Sequence, residues 1–330
     1  MNRLQRHCSL EFLQVNHQPH SMEPITFFPL YMTRVWGGRS LETSYARPLP
    51  DSQPYGESWE MSDREEEQSI VDRGTHAGKT LHDLWVNHHE EIFGTGLAGE
   101  RFPLLIKILD ARDDLSIQVH PPREVAAELG GDPKTEMWYI ADCDPDAQLY
   151  VGFKKGVTRE DFGASLSEGS VADKVHAITP SPGESIFIPS GRLHAIGAGF
   201  LIYEIQQNSD TTYRVFDWNR LGLDGQPRQL HVEKSMRSIN FDDIEPGMDQ
   251  PNGPVIAQCE HFVVEEHDVP SGASISNPGD QFSILTVVSG QLTSKGGRQF
   301  RAGDFLLLPR GADALVASED SKTLRTFLPE

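Results

Sequence analysis

Cysteine is scarce in this chain. Its 330 residues include three, Cys8, Cys143 and Cys259, odd in number and far apart. That argues against a disulfide framework and against zinc-finger spacing, and it suits the cytoplasm. Long apolar runs are missing too, and no stretch approaches membrane-spanning length. Basic charge is in short supply: 29 Lys and Arg stand against 49 Asp and Glu, a net of −20. A nucleic acid or an anionic membrane is therefore a poor main partner, and any anionic ligand must meet basic residues concentrated locally. Residues 1–21 are polar and lack the apolar centre of a signal peptide, so they read as a disordered extension ahead of Met22. What is present is ordinary for a globular protein, 37% hydrophobic and 24% charged residues, in a length that suggests two domains.

Dense turn signals and short apolar runs predict a mostly β protein. Strands are expected at Phe102–Leu109, Leu115–His120, Glu136–Ala141, Phe200–Gln207 and Tyr213–Trp218. In the second of these, Leu115, Ile117 and Val119 share one face and Ser116, Gln118 and His120 the other. Helical patterns are few: Lys79–Phe93, Arg159–Ser167 with Thr158 as its N-cap and Asp161 three residues on, and His231–Ser238.

An internal repeat organises the rest. Gly183 to Gly191 (GESIFIPSG) has the pattern Gly, five residues, Pro, any residue, Gly, and Gly303 to Gly311 (GDFLLLPRG) repeats it 120 residues later. A repeat of domain length implies two similar barrels. Where the first copy continues to His194, the second has Ala314. We therefore expect a metal-binding unit over residues 22–243, an Ile244–Gly253 linker, and a metal-free unit over 254–330 that packs on the first unit or on a sister subunit. Assembly as a homodimer stays open.

Chemistry concentrates in the first unit. Gln118 and His120 lie two apart on an extended segment and so emerge together; Glu136 and His194 are further candidates. Two imidazoles, a carboxylate and an amide suit one Zn²⁺, Mn²⁺, Co²⁺ or Fe²⁺ ion with an open position. His76, His82, His88, His89, His176 and His231 read as surface or unpartnered residues. Glu204 and Arg214 flank a loop, and a hairpin there would aim both at the barrel mouth or pair them as a bland cross-strand ion pair. An arginine near a metal in an acidic protein suits an anionic intermediate or a phosphate.

The Gly-x5-Pro-x-Gly-x2-His arrangement resembles the second signature of the cupin superfamily, which implies two cupin-type jelly-roll barrels with a few peripheral helices. Beyond it, RVWGG, GESWEMS, LSIQVHPP, KTEMWYIA and GRLHAIGAGFLIYEIQQNSDTTYRVFDW resemble the type I mannose-6-phosphate isomerase family, closely over roughly residues 25–231. The short Glu136–His194 interval resembles the compact bacterial form, without an inserted helical domain. The resemblance implies that Gln118, His120, Glu136 and His194 are the ligands of one Zn²⁺ per chain and that Arg214 is catalytic. It also implies that Glu204, Lys134, Ser116, Lys107, Trp36 and Glu57 line a sugar-phosphate pocket. The implied reaction interconverts mannose 6-phosphate and fructose 6-phosphate through an enediolate, with Glu204, a metal-bound hydroxide or Lys134 as base and Lys107 or Arg192 on the phosphate. A non-catalytic sugar-phosphate-binding cupin and a metal-dependent oxygenase are the alternatives.

Overall fold

Short apolar runs closed by turn residues cannot make long helices, and they pair instead as antiparallel ladders. The computed structural model describes residues 22–329, and the expected extension, residues 1–21, lies outside them. A six-stranded sheet runs in the order Ser185–Ile188, Glu136–Cys143, Phe200–Gln207, Leu104–Ala111, Leu30–Gly38, Tyr55–Met61. Opposite it lies a five-stranded sheet: Tyr213–Phe216, Ile117–Val119, His194–Ile196, Leu149–Phe153, Val175–Ile178. Because side chains alternate across a strand, the six-stranded sheet is buried on both faces. Leu109, Trp138, Ile140 and Ile202 face inward, meeting Leu149, Val151 and Ile196 of the smaller sheet. Ile106, Ile108, Met137, Tyr139 and Tyr203 face outward, into a core shared with Ile284, Leu307 and Leu324.

Those last three residues belong to a second pair of sheets with the same plan. Strands Val255–Gln258, Val263–Val269, Ser321–Phe327, Ser283–Ser289 and Phe305–Leu308 form one sheet. Ser274–Ile275, Leu315–Ala317, Gln291–Thr293 and Gln299–Arg301 form the other. Leu285, Val287, Leu292, Phe300, Leu306 and Leu315 fill the space between them. The sequence repeat is thus a repeat of structure. Gly183 and Gly303 have φ of 91° and 84°, and each precedes a four-residue strand closed by Gly191 or Gly311, again at positive φ. At Gly303 a Cβ would also stand 2.6 Å from the Tyr45 ring, so the position needs glycine twice over. Ile188 pairs with Glu136, and Leu308 pairs with Ser283. Ser283 therefore holds in the second sandwich the place of Glu136 in the first.

Helices cover the outer face of the five-stranded sheet. Arg159–Glu168 starts at Thr158, whose hydroxyl and the Asp161 carboxylate form the reciprocal cap that the sequence predicted. Phe162, Val171 and Ile239 close over Ile117, Val119, Phe153 and Tyr213. Leu115 departs from its expected face: it precedes the three-residue strand and packs inward with Trp36 and Trp138. The expected helix at Lys79–Phe93 is two, Leu81–Asn87 and His89–Ile92, broken at His88 (φ −129°). The break lets Trp85, Ile92 and Phe93 all reach the shared core. Nor do Phe200–Gln207 and Tyr213–Phe216 form a hairpin, since they lie in opposite sheets. Asn208 fixes the crossing by donating 2.9 Å bonds to the carbonyls of Asp63 and Phe102. Residues 244–253 are irregular but held, with Asp249 N donating to Ser185 O at 2.9 Å. Among the described residues, Cys143 and Cys259 are free, and no helix is long and apolar enough to cross a membrane.

Candidate metal centre and cavity

Three buried side chains, two on strands and one just past the end of Ile117–Val119, converge inside the first sandwich. His120, Glu136 and His194 are 1%, 0% and 1% exposed, and their candidate ligand atoms all lie within 4.8 Å of one another. His120 Nε2 is 3.5 Å from one Glu136 oxygen, and His194 Nε2 is 3.7 Å from the other. Backbone carbonyls fix both rings: His120 Nδ1 donates to Thr211 O at 2.8 Å and His194 Nδ1 to Arg192 O at 2.9 Å. Each ring then turns its Nε2 lone pair to the common centre, the arrangement of a metal-ligating imidazole with its outer partner in place. His120 Nε2 and both Glu136 oxygens are buried without a hydrogen-bond partner, although the Lys134 ammonium lies in ion-pair range of one of the oxygens. Such orphaned groups are costly, and a divalent cation among them would satisfy all three. The donor set fits a metal. Gln118 stands beside it, its Nε2 3.3 Å from His194 Nε2 and its Oε1 accepting from Ser116 Oγ at 3.2 Å. As a ligand Gln118 would need a half-turn of its amide to aim the oxygen inward.

The centre opens into a cavity of about 390 Å³ lined by Trp36, Glu57, Lys107, Ser116, Gln118, Lys134, His194, Glu204 and Arg214, each a site residue that the family resemblance implies.

Residues 27–147 match the model of the phosphomannose isomerase type I catalytic domain. The mannose-6-phosphate isomerase ManA of Bacillus subtilis is 37% identical over 304 residues, 88% of this chain and 94% of the relative. The chain belongs to the type I phosphomannose isomerase family. A mannose-6-phosphate isomerase of Streptococcus mutans is 34% identical over 87% of this chain and 92% of its own. The crystal structure of the B. subtilis mannose 6-phosphate isomerase superposes with a TM-score of 0.83 at 32% identity, covering 93% of this chain and 100% of that one. Type I phosphomannose isomerases are metal-dependent, and the His-Glu-His cluster is this chain's candidate site.

The electrostatics of this family member's cavity divide its carboxylates and lysines into distinct tasks. Burial, and next the neighbouring His120, push His194 down to about 3. Burial and Lys134 lower His120, so both imidazoles stand neutral. Burial opposes the charge on Glu136, but Lys134 and His120 outweigh it and hold the carboxyl well below its usual range. Lys134 Nζ lies 3.1 Å from Glu136 and 3.9 Å from Glu204. Burial alone would lower Lys134, yet Glu136, Glu204 and Asp210 raise it above the ordinary lysine value. As a base Lys134 would need a nearby cation to bring it down again. Glu204 goes the other way: burial and Glu136 raise it against Lys134 and Lys107. Its Oε1 is 3.4 Å from Lys107 Nζ, and its Oε2 accepts from Trp138 Nε1 at 3.0 Å. Glu57 is the fixed carboxylate, brought to about 2 because Lys107 and Arg34 prevail over burial.

Glu204 and Arg214 share the cavity from opposite sheets and form no ion pair with each other. Arg214 Nη1 donates to Gln229 O at 2.9 Å, while its Nε is buried without a partner. Arg34, Arg228, His231 and Asp210 also line the cavity and escaped the sequence reading. A signal existed for Arg34, which opens the RVWGG motif, but none for Arg228, which arrives on the loop between Phe216 and Val232. His231, taken as unpartnered, receives Arg214 N at Nδ1, 3.2 Å away. Arg192, considered for phosphate, instead binds Asp243 at 2.8 and 3.0 Å and the Phe187 carbonyl, outside the cavity. His76, His82, His88 and His89 are partly exposed, and none joins the cluster.

Proposed function

We infer that this chain interconverts D-mannose 6-phosphate and D-fructose 6-phosphate. The observation that carries the reading is the buried His120–Glu136–His194 set, with its orphaned donors, at the base of a cavity that also holds Glu204, Lys107 and Lys134. We propose Zn²⁺ as the ion, with Gln118 as the fourth ligand: the family resemblance implies zinc, and the nitrogen and oxygen donors fit it as they fit Mn²⁺, Co²⁺ and Fe²⁺. When bound, the ion supplies Lewis-acid polarisation of the sugar's carbonyl and hydroxyl oxygens.

The chain's own groups do the rest. Glu204, its carboxyl raised by burial, is the base that moves a proton between C2 and C1 on one face of the open-chain sugar. Lys107, 3.4 Å away, holds it in place. Lys134 stays protonated and donates to the oxygen on which enediolate charge develops. Arg214 faces the anion with an unpartnered Nε. Arg34 and Arg228 stand beside it at the phosphate end, partly neutralised by Glu57 and Asp217. A cationic end in an otherwise acidic protein is the local concentration that an anionic substrate requires.

We also read residues 22–243 as the catalytic unit and 254–330 as a metal-free unit, in a cytoplasmic protein whose assembly light scattering would define. The deciding experiment is a coupled assay for fructose 6-phosphate on purified protein before and after chelation, with elemental analysis. Activity should vanish with the metal and return with Zn²⁺. A rate indifferent to chelation would sink the scheme, and dioxygen uptake would select an oxygenase instead.

A further inference from the structure

We propose that the mouth of the C-terminal sandwich is a second binding site, for a neutral monosaccharide or polyol. A cavity of about 600 Å³ opens there, lined by Asn277, Asp280, Gln281, Ser283, Arg325 and Phe327 among others. Ser283 is the residue that stands where Glu136 stands in the first sandwich, so this cavity opens on the position that the metal centre holds there. It is not a packed relic. Ser283 is 1% exposed, yet its hydroxyl has no hydrogen-bond partner. Arg325 Nε is likewise buried without one, and so is Thr323 Oγ1, two residues along the same face of the strand. Buried polar atoms in a native fold are rarely left unpaired, and two converging donors on one cavity ask for a ligand oxygen.

Charge decides what kind. Arg325 Nη2 already donates to Glu265 at 2.6 Å, and Glu265 also meets His267 at 2.9 Å. Asp280 adds a further negative group to the lining, in a chain of net charge −20. Arg325, the cation of this lining, is thus already paired with a carboxylate, whereas Arg214 in the catalytic cavity donates to a neutral carbonyl. Hydroxyl groups fit, since they accept from Ser283 and Arg325 and donate to Asp280 and Gln281. Phe327, with Arg325 stacked 4.9 Å over its ring, and Leu328 give an apolar wall for the C–H face of a sugar. This site is separate from the isomerase reaction of the first cavity.

The test is ligand-observed NMR titration of the metal-loaded full chain with D-mannose and with D-mannitol, alone and with saturating mannose 6-phosphate. We expect saturable binding with a dissociation constant of about 1–10 mM, weak because few contacts are made, and no displacement by the sugar phosphate. Ser283→Ala should weaken it about five- to tenfold, one hydrogen bond's worth, without harming the fold, because it deletes a hydroxyl that has no partner. Arg325→Leu should abolish it; should that variant unfold with Glu265 left to His267 alone, Ser283→Ala decides. Absence of saturation at about 100 mM, displacement by mannose 6-phosphate, or unaltered affinity in Ser283→Ala would each overturn the proposal. So would tighter Ser283-dependent binding of the phosphate ester than of the neutral sugar.

Discussion

Glu136 opposite Ile188 and Ser283 opposite Leu308 occupy the same point on two sheets of the same design. In the first sandwich that point joins two imidazoles, two lysines and a second carboxylate, nearly all out of contact with solvent. In the second, Leu285, Leu306, Leu308 and Leu315 fill most of the interior. The fold tolerates both, so the architecture does not demand the charged cluster. Burying so many charges opposes folding; the ion pairs among Lys134, Glu136, Lys107 and Glu204 offset part of that penalty, and a ligand shared by the remaining donors offsets more. The contrast teaches that the first sandwich is built around something it binds. The second is first of all a platform, its Ile284, Leu307 and Leu324 backing the catalytic sheet.

The sharpest way to break this contrast is to import the second unit's residues into the first. His194→Ala and Glu136→Ser each copy what the repeat carries, and each should remove the bound metal and lower turnover by about 10³-fold or more. Elemental analysis with the coupled assay and circular dichroism checks both; a folded variant that keeps metal and rate would refute the site. Arg214→Ala should lower kcat/KM by about 10²–10³-fold with metal content unchanged, as expected for a lost charge-assisted contact.

Glu204→Gln should lower kcat about 10²-fold or more. In the unmodified protein the rate should fall with decreasing pH already above the ordinary carboxylate range, because burial raises Glu204 and it must be ionised to act. The sign for stability is the reverse. A carboxyl raised in the folded state contributes stability below its unfolded pKa, and that contribution is lost as pH rises through the folded value. Glu204→Gln should therefore leave the metal-free protein at least as stable at neutral pH in urea unfolding. A variant that loses stability there would point to a structural rather than catalytic Glu204.

On the other side of the comparison, Leu324→Ala should cost about 2–5 kcal/mol of stability yet leave kcat per folded molecule unchanged. Altered kcat in a fully folded sample would mean that the platform tunes the site. Smallest of all, Tyr139→Phe removes the 2.7 Å bond to Glu266 that joins the two units, and should cost about 1 kcal/mol with no change in rate.

Much of the site could be read in the chain because strand geometry is local. Period-two alternation sent Gln118 and His120 to one face and left Ile117 and Val119 for the helices on the other. The Gly-Pro-Gly turn located His194 at the head of its strand. The Thr158 and Asp161 cap was legible for the same reason, since both partners lie within one turn. Legibility failed where residues far apart compete for one space. His88 breaks its helix because Trp85, Ile92 and Phe93 must satisfy a core that includes Phe282, nearly two hundred positions away. Ile25 exchanges 2.9 Å backbone bonds with Leu307, so the first described segment is stitched to the last sheet.

Sequence by itself determined the β class and the family, and it named the three side chains that cluster, all from spacing and chemistry along short stretches. Only the tertiary structure decided that Lys134 is held charged while Glu204 is pushed toward neutrality, and that Arg34 and Arg228 join Arg214. It also decided that Ser283 opens on a cavity of its own. A pKa or a pocket is set by the field and volume of every neighbour in space, and chain order does not encode those neighbours.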